Sequence, residues 1–123
     1  MSTLEQFITE KDFFIGIDSD GCVFDTMEVK HKEFFCPNTV KYFGLFAIAK
    51  YVRETWDFVN LYSVTRGTNR FHALIRVMDL LAGRPEVAER GVTLPDMDPL
   101  REWVRKESRL GNPVFMEYVN DNP

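Results

Sequence analysis

The chain has 123 residues, 45% of them hydrophobic, and a formal net charge of −4. That is one ordinary domain or part of a larger one, and eleven Phe residues promise a core or a large buried interface. With no basic stripe, no long apolar run and no basic-then-apolar leader, nucleic acid, a membrane and a secretory signal are all read as excluded. Cys22 and Cys36 lie in no metal-like spacing. Free thiols in a reducing, cytoplasmic setting are expected.

Residues 3–10 read as a short helix or ordered lead-in. Residues 13–18 (Phe-Phe-Ile-Gly-Ile-Asp) read as a buried strand, short, aromatic and β-branched, ended by the turn signal Asp20-Gly21. From Thr26 to about Phe35 the pattern suits a charged helix, which Pro37 and Asn38 are expected to interrupt. Leu45, Ile48, Val52, Trp56 and Val59 recur at spacings of three and four, the mark of a long amphipathic helix. Phe71, Leu74, Ile75, Met78, Leu81 and Ala82 repeat the pattern, and Gly83-Arg84-Pro85 ends it. The turn-rich stretch from Gly83 to Pro99 reads as a loose connection. Asp98-Pro99 starts another helix, with Asp98 as cap and Leu100, Trp103 and Val104 as its buried stripe. Gly111 and Pro113 end that helix, and a last short one covers Val114 to Val119. Tyr42, Phe43, Phe46, Tyr51, Trp56 and Phe58 read most simply as core.

The chemistry concentrates at the end of the first strand. Ligands of open α/β sheets bind beyond the carboxyl ends of strands, and here two carboxylates, Asp18 and Asp20, stand one residue apart before a glycine turn. A calcium loop of the EF-hand type is excluded, because its fifth, sixth and twelfth positions would be Cys22, Val23 and Val29. No Gly-x-x-x-x-Gly-Lys-Ser/Thr loop exists either.

The stretch Ile-Gly-Ile-Asp18-Ser-Asp20-Gly-Cys-Val-Phe-Asp25-Thr resembles the first motif of the haloacid dehalogenase superfamily. The resemblance covers about a dozen residues. It implies an α/β, Rossmann-like core of which residues 13–18 are the first strand. It also implies Mg²⁺ on the Asp18 carboxylate and the Asp20 carbonyl. Asp18 would be the nucleophile forming an aspartyl-phosphate, and Asp20 the general acid and base. Backbone N–H groups near Ser19 to Gly21 would hold the phosphoryl oxygens. Asp25 and Thr26 would be structural. The second carboxylate favours phosphatase or phosphomutase over dehalogenase chemistry, acting on a small phosphorylated metabolite.

The family's site also needs a second strand ending in Ser or Thr, a Lys, and a further acidic pair. Ser63 or Thr65 with Asp96 and Asp98 would make a compact version, but no Lys lies between Arg66 and Pro95. The chain therefore reads as an incomplete fold: residues 1–25 are the strand and catalytic loop, residues 26–123 a mostly α, cap-like helical body, and the remaining core lies outside the chain. Such a portion is expected to be inactive alone. In Thr65-Arg66-Gly-Thr-Asn69-Arg70, the side chains of Arg66, Asn69 and Arg70 are candidates for a substrate loop. A solvated turn of capping residues is the competing reading. His31, between Lys30 and Lys32, reads either as close to the site mouth or as part of a solvated helix face. Cys22, Cys36, His31 and His72 have no zinc spacing. The alternative function is a non-catalytic helical binding module that keeps the acidic loop and buries its aromatic surface by homo-oligomerisation or partner binding.

Overall fold

A computed structural model describes residues 11–122. The lead-in helix expected at residues 3–10 lies outside them. Among the described residues the fold is helical and contains no strand.

Helix α1 is built of three stretches that follow without a break, Met27–Val29, Lys30–Phe35 and Cys36–Tyr42, and the middle one is π-helical. The helix therefore runs through Pro37, where a break was expected. In a regular α-helix the ring of Pro37 would press on the carbonyl four residues back. The widened turn immediately before it absorbs that conflict. The end of α1 is a Schellman motif: Leu45 N–H donates to the Val40 carbonyl (2.8 Å) and Gly44 N–H to that of Lys41 (3.3 Å). Gly44 adopts the φ of +66° that this cap requires.

A 3₁₀ turn, Phe46–Ile48, leads into α2, which comprises Ala49–Asp57 and a second π-helical stretch, Phe58–Tyr62. Helix α3 is Arg70–Ala82, capped by Asn69, whose side chain accepts from Phe71 N–H at 3.0 Å. Helices α4 (Pro85–Glu89), α5 (Asp98–Lys106) and α6 (Asn112–Asp121) complete the body. The stretch read as a loose connection thus contains α4. Arg84, just before it, ties this element to α2 through Glu54 at 2.8 Å and lies over the Tyr51 ring. Asp98 is the first residue of α5 and not its cap: Met97 holds the cap position, and the Asp96 carboxylate before it accepts from Asp98 N–H at 2.9 Å. Helix α5 stops at Lys106, before Gly111, and Pro113 opens α6 instead of closing α5.

Helix α3 packs against α2, α4 and α5, and α1 packs on α2. Leu45, Ile48, Val52 and Val59 meet Val77 and Leu81 in a solvent-free core. The two periodic stripes are therefore buried as expected, except that Ala82 is exposed and Ala73 and Val77 join the core. A second, aromatic cluster holds α5 and α6 to α3. Trp103 lies 4.9 Å from Phe71 and 5.1 Å from Phe115, ring centre to ring centre. Trp56 is buried and Tyr51 half-buried, but Tyr42, Phe43, Phe46 and Phe58 are exposed, against the core reading.

The largest departure is at residues 13–18. No strand forms. The run from Phe13 to Ile17 has no regular secondary structure and is solvent-exposed, with Phe13 89% and Phe14 88% accessible. A lone strand cannot satisfy its backbone donors and acceptors, and no partner strand exists among the described residues to receive it.

Candidate functional site

The acidic loop is a tight, self-bonded turn. Val23 and Phe24 N–H groups both donate to the Ser19 carbonyl, at 3.1 and 2.9 Å, and Gly21 N–H donates to the Phe24 carbonyl at 2.8 Å. Gly21 has φ +70°, and a Cβ there would come within 2.8 Å of the Met27 side chain. Glycine is required at this position on both counts.

The two carboxylates have different surroundings. Asp18 is exposed, and its Oδ1 accepts from Ser19 N–H at 2.9 Å. Asp20 folds back onto α1: Lys30 Nζ donates to Oδ2 at 2.7 Å and Thr26 Oγ1 to Oδ1 at 2.9 Å. The Lys30 ammonium, and then the Thr26 hydroxyl, hold the Asp20 carboxyl below the usual carboxylate range. Ser19 and Gly21 spend their N–H groups inside the loop, so in this arrangement neither is available to a phosphoryl group. Asp20 and Cys22 N–H groups are the ones without a partner among the described residues.

A network at the start of α1 fixes where the loop sits. Glu28 accepts from Lys32 at 2.9 Å and from Tyr62 Oη at 3.0 Å, which joins the start of α1 to the end of α2. An open cleft of about 400 Å³ results. Asp20, Gly21 and Met27 form one side, and Asn60, Arg66 and Gly67 face them.

Arg66 therefore joins the acidic loop, as the substrate-loop reading requires. Asn69 and Arg70 do not. Asn69 is a helix cap that also donates to the Leu110 carbonyl at 3.1 Å, and Arg70 bonds to Asn112. Both hold the start of α3 to the α5–α6 junction. Ser63 is buried and occupied: its Oγ donates to the Val59 carbonyl at 2.9 Å and bonds Thr65. It finishes α2. His31 is half-buried against Trp56 and not part of a solvated face.

Two residues of the site escaped the sequence reading, Lys30 and Asn60. A charge-neutralising lysine was sought only downstream of Arg66. The signal lay closer: Lys30 is four residues beyond Thr26, one helical turn, so the two side chains share a face and reach the same carboxylate.

The donor set suits a hard cation. The Asp18 carboxylate and the Asp20 carbonyl offer oxygen donors, the kind that Mg²⁺ takes from one or two protein groups while completing its shell with water and phosphate. Among the described residues no group of three or more His, Cys, Asp or Glu side chains forms. No described helix is long and apolar enough to cross a membrane. Comparison with protein-family profiles, curated proteins and solved structures returned no match to this chain.

Proposed function

We propose that the chain carries the nucleophile loop and helical cap of a Mg²⁺-dependent phosphohydrolase resembling the haloacid dehalogenase superfamily. The observation that carries this reading is the division of labour in the loop. Asp18 is exposed and bonded only to a neighbouring amide, while Asp20 is anchored to α1 beside a cleft that also contains Arg66.

In the proposed reaction an Asp18 carboxylate oxygen attacks phosphorus. A P–O bond forms to Asp18 and the ester P–O bond breaks. Bound Mg²⁺ would screen the charge and hold the attack in line. Arg66 offers N–H donors to the phosphoryl oxygens from across the cleft. Asp20 has to protonate the leaving oxygen, yet the resting loop keeps it ionised by pairing it with Lys30. Transfer of Lys30 from Asp20 to the arriving phosphate would release that hold and neutralise the phosphate in one movement. Water activated by Asp20 then cleaves the aspartyl-phosphate. The exposed run from Phe13 to Ile17 fits the same reading: it has the composition of a buried strand and needs partner strands to become one.

The test uses the protein expressed from its full reading frame, assayed with p-nitrophenyl phosphate with and without Mg²⁺. Asp18→Asn is expected to reduce turnover by about a thousandfold or more. Activity surviving that change refutes the nucleophile assignment.

The same exposed aromatic run favours a second reading, a helical module that associates through it. In that case self-association or partner binding would be indifferent to Asp18→Asn and lost on replacing Phe13 and Phe14 by serine.

A further inference from the structure

A second hollow, of about 320 Å³, opens between α1, the end of α2 and the start of α3. It shares only Asn60 with the acidic cleft. Its volume lies in the range of small-molecule sites, and its wall is mainly aromatic, from Phe35 on α1, Trp56 on α2 and Phe71 on α3.

Trp56 Nε1–H donates to His31 Nδ1 at 3.1 Å. A ring nitrogen that accepts carries a lone pair, so the neutral imidazole has its proton on Nε2. Partial burial, and then the charge of Lys30, hold His31 below its ordinary value, so it is neutral near pH 7. Among the described residues no Asp or Glu lines the pocket, and its one charged side chain is Arg70, which is exposed and whose guanidinium lies 4.9 Å from the centre of the Phe71 ring. Arg70 donates to the neutral Asn112 amide and has no carboxylate partner among the described residues. A guanidinium has five N–H donors, and Asn112 takes one of them.

We propose that this pocket binds a small organic monoanion, an aryl or alkyl carboxylate, with its apolar body against Phe35, Trp56 and Phe71 and its carboxylate on Arg70. The proposal is independent of the phosphohydrolase reading. A cation would meet an unpaired guanidinium and no carboxylate. A larger polyanion would find one positive charge in an apolar wall. A ring or short chain ending in a carboxylate matches both the apolar lining and the planar fork of arginine.

The test compares 4-phenylbutyrate with its uncharged counterpart 4-phenylbutanol, titrated at pH 7 and followed by the two indole N–H resonances in ¹H–¹⁵N spectra. Expected is a saturable shift of the Trp56 resonance with little change at Trp103, and an acid that binds about tenfold tighter than the alcohol. Arg70→Gln is expected to remove that advantage while leaving alcohol binding unchanged. An unresponsive Trp56, or equal binding of acid and alcohol by the unaltered protein, overturns the proposal. The second comparison needs no variant, so it stands even if Arg70→Gln fails to fold.

Discussion

The helical body from α1 to α6 and the segment from Lys11 to Asp25 that precedes it are built on opposite terms. In the body, apolar side chains recur at helical spacing and meet across α2 and α3, so that Leu45, Val52, Val59 and Leu81 are wholly excluded from solvent. In the leading segment apolar residues are about as frequent, yet every residue from Lys11 to Asp25 is exposed. Hydrophobicity alone does not bury a segment. A helix satisfies its own backbone and needs only a face to pack on, whereas a strand needs a neighbour for its backbone before its side chains can pack. The acidic loop stands at the junction: its turn is internally bonded, and its position depends on Lys30 and Thr26 of the body.

The sharpest probe of this contrast is the pair of cysteines, one in each region. Cys22 is exposed, and Cys36 is fully buried with its thiol pushed up to about 11 by that burial. A thiol reagent at pH 8 is expected to modify one cysteine per chain rapidly and the other orders of magnitude more slowly, only as the chain unfolds. Cys22→Ser should abolish the fast phase. Two fast thiols would mean that α1 opens readily and that the two regions do not differ.

Next in size is the cost of truncating a core side chain. Leu81→Ala is expected to destabilise the body by about 2–5 kcal/mol, measured by urea denaturation. A loss well below this range would place Leu81 outside a close-packed core.

Acid titration tests the junction. Because Lys30 and Thr26 lower the Asp20 pKa in the folded loop, the anchor is fully present above the ordinary value of 3.8 and is lost as pH falls through the lowered one. An NMR titration of the Asp20 side chain should give a midpoint below 3.8, and Lys30→Met should raise it. A midpoint unchanged in that variant would detach the loop from α1.

The smallest effect is expected in the leading segment itself. Phe14→Ser should alter stability by no more than about 0.5 kcal/mol, since the ring touches little that it could leave empty. A loss comparable to that of Leu81→Ala would show the run to be packed, and the contrast would fail.

How much was legible in the sequence follows the same division. The stripes through Trp56 and Leu81 were readable because a helix encodes its buried face in local spacing. Phe46 and Phe58 were misjudged because aromatic character says nothing about which side of the helix they occupy, and neither belongs to the stripe that begins at Leu45. The run through Pro37 was not foreseen, since a π-helical turn depends on conformation that composition does not announce. Asp98 was read as the cap of α5 but is its first residue, and its amide donates to Asp96. Of the cleft's lining, Asp20, Gly21 and Arg66 were named from the chain, whereas Asn60 required α1 and α2 to be set side by side. Asn69 and Arg70 were drawn into the substrate reading by proximity to Arg66, although they bond to Leu110 and Asn112 and neither lines the acidic cleft.

The widened turn at Lys30–Phe35 also makes the length of α1 a functional quantity. Such a turn holds one residue more than an α turn. Deleting a single residue there would draw the helix toward regular α geometry and return the ring of Pro37 to the carbonyl four residues back. The lost residue and the lost widening offset each other, so the segment before the deletion would keep its direction around the helix axis. Deleting a residue from the regular stretch Cys36–Tyr42 would instead swing that segment by about 100°, taking Asp20 and Thr26 from the side of α1 that faces Asn60 and Arg66. The first lesion would strain the helix and spare the cleft, and the second would separate the walls of the cleft.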